Sequence, residues 1–98
     1  MSEQRADVFR ALSDPSRRRI LHLLADRSMS AGDIAAHFDF TKPSLSRHLK
    51  ILREAELIVS DRHGTTLEYS ANLSVLEGAL IGLMNRLGIS KEDESEEG

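Results

Sequence analysis

Cysteine and tryptophan are absent from the 98 residues, and only two prolines, three phenylalanines and one tyrosine occur. Without Cys there is no disulfide scaffold, no thiol redox chemistry and no thiolate-rich metal site, so a reducing cytoplasm is the expected compartment. No apolar run approaches the roughly 18 residues that a spanning helix needs, and the opening MSEQRAD is too polar for a signal peptide. A cytoplasmic protein with no membrane partner is expected. There is also no Gly-rich phosphate loop, nucleophile elbow or paired-carboxylate motif, and a chain this short offers little concave surface. The sequence therefore speaks against an enzyme and implies no cofactor. The length permits one domain, and its large surface for its volume leaves room for an oligomer.

Basic residues number 13 and acidic residues 16, a net charge of −3 that by itself disfavours nucleic acid. The charge is uneven. The last eight residues, KEDESEEG, hold one Lys and five acids, leaving 12 basic and 11 acidic residues in 1–90. A segment without apolar residues cannot offset its ordering entropy by burial, so 91–98 reads as an acidic disordered tail behind a near-neutral domain, 1–90.

Within that domain the periodicity predicts five helices and one hairpin. Val8, Phe9 and Leu12 share helical spacing in a first helix over 3–12. Ser13-Asp14-Pro15 breaks it: Asp14 suits an N-cap and Pro15 the first position of a second helix running to Asp26. Residues 28–30 read as a connection, and Ser30 with Asp33 caps a short third helix ending near Phe38. Thr41 caps a fourth helix with Pro43 in its first turn. Two β-prone runs, Leu57 to Arg62 and Thr66 to Ala71, flank His63-Gly64-Thr65, and Asn72-Leu73-Ser74 opens a final helix through about Leu87. The expected fold is mainly α, an α+β winged helix-turn-helix in which a two-stranded wing lies between the fourth and fifth helices.

A short helix, a tight turn and a longer polar-faced helix form a helix-turn-helix. In the longer one, Leu45, Leu49 and Leu52 fall within roughly 60° of one another. The other side carries Ser46, Arg47 and Lys50, with Ser44 at its edge and Lys42 at the N-terminal end. Cations and hydroxyls at that width fit a DNA major groove. Between Thr41 and Gly64 there are five basic residues and three acidic ones, a local excess of two positive charges. The hairpin places Arg62 and Thr65 at its tip, within the reach of a phosphate or the minor groove.

The final helix carries Leu76, Leu80, Leu83 and Leu87 at 4-3-4 spacing, a seam that two helices bury together. With Val8, Phe9 and Leu12 from the first helix, this surplus predicts a homodimer. A two-fold dimer places its reading helices about 34–36 Å apart and so predicts a pseudo-palindromic site.

The stretches LSDPSRRRIL (12–21), AGDIAAHF (31–38), KPSLSRHLKILREAELI (42–58) and DRHGTTLEYS (61–70) together resemble the ArsR-type winged-helix repressors, within them the metal-independent, SdpR-like branch. The resemblance spans residues 5–88. It implies a homodimer that binds an inverted-repeat operator and blocks transcription, reads DNA with the helix matching 42–54 and joins its subunits through the first and last helices. Metal-sensing relatives carry Cys-x-Cys-Asp where this chain has Ser30-Ala31-Gly32-Asp33, and a second family site uses Asp, His and Glu on the last helix, where 73–90 offers only Glu77. No metal site is expected.

Of the four histidines, His22 is expected at the edge of the core, His37 at a helix end, His48 bordering the buried face of the reading helix, and His63 in water at the wing tip. Protonation of His48 or His63 between about pH 6 and 7 is expected to strengthen DNA binding modestly. Arg17, Arg18 and Arg19 cannot share one helix face; Arg17 reads as structural. The reading that emerges is a dimeric, sequence-specific, metal-free repressor with helix 42–54 in the major groove and hairpin 58–71 as wing. Its release from DNA is left to an unidentified protein partner, a small ligand between the dimer-forming helices, or concentration alone. The alternative is a winged-helix protein-interaction module without DNA binding.

Overall fold

The computed structural model describes residues 2–89, with side chains from Asp7 onward. The expected tail at 91–98 lies outside the described residues. Helices α1 (Ser2–Leu12) and α2 (Pro15–Asp26) are followed by strand β1 (Met29–Ser30), α3 (Ala31–Ala35), α4 (Lys42–Glu54), β2 (Ile58–His63), β3 (Thr66–Ala71) and α5 (Leu73–Arg86).

The caps act where the sequence placed them. The Asp14 Oδ1 accepts from the Ser16 N–H at 2.7 Å and the Arg17 N–H at 3.3 Å, and Pro15 takes the first turn of α2. The Ser30 Oγ accepts from the Asp33 N–H at 3.1 Å, and the Thr41 Oγ1 from the Ser44 N–H at 3.2 Å. Three side chains thus satisfy amide donors that the helices cannot bond internally. α3 ends at Ala35, short of the expected Phe38. Its continuation is a tighter turn, with the His37 N–H on the Ile34 carbonyl at 3.0 Å and the Phe38 N–H on that of Ala35 at 3.2 Å.

α4 ends in a Schellman motif. Glu56 adopts φ 64°, the Leu57 N–H donates to the Leu52 carbonyl at 3.0 Å, and the Glu56 N–H donates to that of Arg53 at 2.9 Å. Leu52 and Leu57, the apolar pair that such a motif brings together, are both fully buried. This reversal sends the chain from α4 straight into the hairpin.

The hairpin gains a third strand. Met29–Ser30, expected as a connection, pairs antiparallel with β3, Met29 opposite Tyr69 and Ser30 opposite Glu68, giving the order β1-β3-β2. Two residues are too few to show alternation, whereas burial of Met29 against the core holds them in register. The single core draws Val8, Ile20, Ile34, Leu52, Leu57 and Ile58 from α1, α2, α3, α4, β2 and the α4–β2 reversal. Val8, expected on a dimer surface, is 1% exposed inside this core, because α1 packs on both α2 and α4. His22, expected at the core edge, is exposed on α2.

Candidate nucleic-acid interface

Leu45, Leu49 and Leu52 are buried beneath α4, so the helix is anchored by one face. Lys42, Ser44, Ser46, Arg47 and Lys50 are all exposed. Among the described residues Arg47 is in no ion pair, while the Lys50 Nζ lies 3.7 Å from the Glu54 Oε2 one turn on. That pair is fully solvated, and contacts of this kind contribute only about 0.3–0.5 kcal/mol, so a phosphate competes readily for the lysine. α4 thus presents hydroxyls and a free guanidinium on a rigid helix.

The wing follows. The ladder from Ile58–Ala71 to His63–Thr66 leaves Gly64-Thr65 as a two-residue turn, with Gly64 at φ +64°. Positive φ at the first central position is the demand of a type II′ hairpin, and glycine meets it without a Cβ penalty. Arg62 and Thr65 are exposed near the tip. Carboxylates also lie near the tip: the His63 Nε2 sits 3.7 Å from the Glu68 Oε1 and 4.0 Å from the Asp61 Oδ2.

The arginine triplet divides its work. Arg17 is buried, its Nε donating to the Ala11 carbonyl at 2.8 Å and its Nη2 to the Arg10 carbonyl at 3.2 Å, with the Asp14 carboxylate 3.9 Å away. The Arg18 Nη1 donates to the Leu12 carbonyl at 2.7 Å. Two cations therefore close the C-terminus of α1, where carbonyls lack helical donors and the dipole is negative. Arg19 instead places its guanidinium 4.9 Å over the ring of Phe38.

Sequence reasoning missed what Phe38 and Phe40 do. Their rings stack at 4.9 Å, and Phe40 meets His48 edge-on at 5.3 Å. These contacts clamp the turn between α3 and α4. The available signal was two of only four aromatic residues flanking one aspartate. His48 is held from the other side by the Arg17 Nη1, 3.4 Å from its Nδ1. An arginine can only donate, so Nδ1 accepts and the neutral ring carries its proton on Nε2. Burial lowers the His48 pKa, and the nearby charges of Arg17 and Arg47 lower it further against the opposing pull of Asp14. His48 is thus a packing residue of α4, and the direction of this shift runs against the expected protonation between about pH 6 and 7. Burial would raise the pKa of Asp14, but the Ser16 and Arg17 amides and the Arg17 charge together hold it below its usual value.

The expected dimer residues are split. Leu80 and Leu87 are 42% and 64% exposed, while Phe9, Leu12, Leu76 and Leu83 are half-buried. Ile81, Met84 and Ile89 add further exposed apolar surface at the α5 end. Among the described residues no cluster of three or more His, Asp or Glu could hold a metal ion, and no helix is long and apolar enough to cross a membrane. The Ser30 side chain caps α3.

Comparison with known proteins agrees with this architecture. The sequence pattern described as "Bacterial regulatory protein, arsR family" matches residues 14–60. The transcriptional repressor SdpR of Bacillus subtilis is 46% identical over 87 residues, spanning 89% of this chain and 97% of that one. The arsenical resistance operon repressor of Staphylococcus xylosus is 39% identical over 70 residues, 71% of this chain and 67% of its own. Among solved structures, an ArsR-like transcriptional regulator from Rhodococcus sp. RHA1 superposes with a TM-score of 0.79 at 29% identity, covering 89% of this chain and 81% of that one. The homodimeric winged helix-turn-helix DNA-binding domain Mb0332 of Mycobacterium bovis gives 0.71 at 26% identity, covering 86% of this chain and 79% of that one.

Proposed function

The chain belongs to the ArsR family of bacterial transcriptional regulators, and on that premise we propose that it is a cytoplasmic, homodimeric repressor that reads a pseudo-palindromic operator without a metal sensor. The observation that carries this reading is the split of α4 into a buried leucine face and an exposed face of Lys42, Ser44, Ser46, Arg47 and Lys50, followed at once by a wing. α4 enters the major groove. Arg47 with Ser44 and Ser46 supplies most of the base discrimination, Lys42 and Lys50 meet phosphates or flanking bases, and Arg62 and Thr65 hold the backbone beside the wing.

The dimer is built from Phe9 and Leu12 of α1 and from Leu76, Leu80, Leu83 and Leu87 of α5. Burial of the exposed apolar end of α5 against its own copy removes surface that a monomer would leave in water. Absence of Cys, the capping role of Ser30 and the lone Glu77 on α5 support a repressor whose DNA affinity does not follow a metal.

The deciding experiment is footprinting of the purified protein on DNA upstream of its own gene, with and without a chelator. A protected, two-fold symmetric site unaffected by the chelator is expected, with affinity that falls steeply as salt rises. A dimer that gives no salt-sensitive footprint would instead make the domain a protein-interaction module. Protection lost on chelation would overturn the metal-free part of the reading.

A further inference from the structure

A groove of about 580 Å³ lies between α2 and the turn after α3, apart from the reading face of α4. Its walls include Arg18, Arg19, His22, Leu23, His37 and Phe38. Every ionisable group lining it is an arginine or a histidine, and no carboxylate contributes to the wall. The remaining lining is apolar. Among the described residues neither Arg18 nor Arg19 is in an ion pair: the former spends one N–H on the Leu12 carbonyl, the latter lies over the Phe38 ring. Each guanidinium therefore keeps donors for an incoming anion. The His37 ring is fixed at the rim by its Nδ1, 3.0 Å from the Asp33 carbonyl.

We propose that this groove is a binding site for a small aromatic carboxylate, whose anionic end meets Arg18 and Arg19 and whose ring lies against Phe38 and Leu23. A planar guanidinium fork matches a carboxylate, and the half-buried side chains of Phe38 and Leu23 favour an apolar body over a hydrated inorganic ion. The same Phe38 stacks on Phe40, which touches His48 of α4. A ligand that displaces Arg19 from Phe38 thus acts on the clamp that seats the helix. The effect on DNA affinity rests on the repressor reading above; the binding site itself does not.

The test is a titration of the ¹⁵N-labelled full chain, without DNA, using sodium benzoate, benzamide and inorganic phosphate at matched ionic strength. Benzoate is expected to give saturable shifts concentrated in residues 18–23 and 37–40, extending to the amide of His48. Benzamide should leave these signals in place, and phosphate should bind about tenfold more weakly for want of an apolar contact. Arg19→Ala should weaken benzoate about tenfold, and Arg19→Lys, which keeps the charge but not the fork, by an intermediate factor. Unchanged β2 and β3 amides in both variants would certify the fold. Benzamide matching benzoate would overturn the role of the anion, and phosphate matching benzoate would reduce the groove to a plain anion surface. Unsaturable shifts spread over the chain, or benzoate affinity untouched in both arginine variants, would overturn the site. Because no DNA is present, such a failure is distinct from failure of the footprint.

Discussion

The guanidinium of Arg17 on α2 reaches the Nδ1 of His48 on α4 at 3.4 Å, thirty-one residues apart in the chain. This contact joins the C-terminus of α1, which Arg17 closes through two carbonyls, to α4. It also fixes the sign of a pH effect. The folded pKa of His48 lies below the ordinary 6.5, so the unfolded chain binds more protons through that interval. The contribution of His48 to stability is therefore complete above 6.5 and is lost as pH falls from there through the lower folded pKa. Denaturant unfolding between about pH 7.5 and 5 should show stability falling with acidity, and His48→Gln should flatten that part of the profile. A profile that the substitution leaves unchanged would remove His48 as its source.

Arg17 itself should not tolerate its usual substitute. A lysine cannot span the Ala11 and Arg10 carbonyls while keeping Asp14 and His48 in reach. Arg17→Lys should cost about 1.5–3 kcal/mol, the contribution of a hydrogen bond to a charged group. Equilibrium unfolding at neutral pH measures it, and a loss under about 0.5 kcal/mol, the scatter of ordinary surface substitutions, would make the carbonyl contacts incidental.

Gly64 sets the wing. Any Cβ there meets open space, so a substitution is resisted by φ +64° alone and not by packing. Gly64→Val should destabilise the turn by about 1–2 kcal/mol. Amide exchange across β2 and β3 should speed up, while the core amides of α2 and α4 keep their protection.

Arg47 tests the reading face. In the operator complex Arg47→Ala should cost about 1–3 kcal/mol if its fork reads a guanine. The loss should be smaller on random DNA of equal length, as measured by titration at one fixed salt concentration. Equal losses on both would assign Arg47 to a phosphate.

The α5 surface tests assembly. Leu80→Glu with Leu87→Glu puts charge on two exposed positions, so the protomer core is not touched. Sedimentation should show a folded monomer in place of a dimer, with operator affinity reduced because half-sites are no longer bound together. A variant that remains dimeric would move the interface off this seam.

The helices and their N-terminal limits were readable because their causes are local. Asp14, Ser30 and Thr41 each bond an amide two or three residues away, and the leucines of α4 recur at the helical repeat, so a few residues of sequence contain both partners. The exposed cations of α4 followed from the same periodicity, and the turn at Gly64 from the β-prone runs on either side of it. The net charge of −3, by contrast, said little about the face that matters, since the acids concentrate in the last eight residues.

Tertiary structure decided what no local pattern contains. Val8 and Leu80 are both apolar residues of amphipathic helices, yet one is enclosed by α2 and α4 and the other faces water. Two residues at Met29 became a strand only because β3 lies alongside. The Arg19–Phe38–Phe40–His48 chain exists because α2, the turn and α4 converge. Sequence alone determined the helices, their N-caps and the polar face of α4, all set by interactions within about one helical turn. Packing determined which apolar residues remain free and which arginines are occupied, because burial and pairing depend on groups that meet only once the chain has folded.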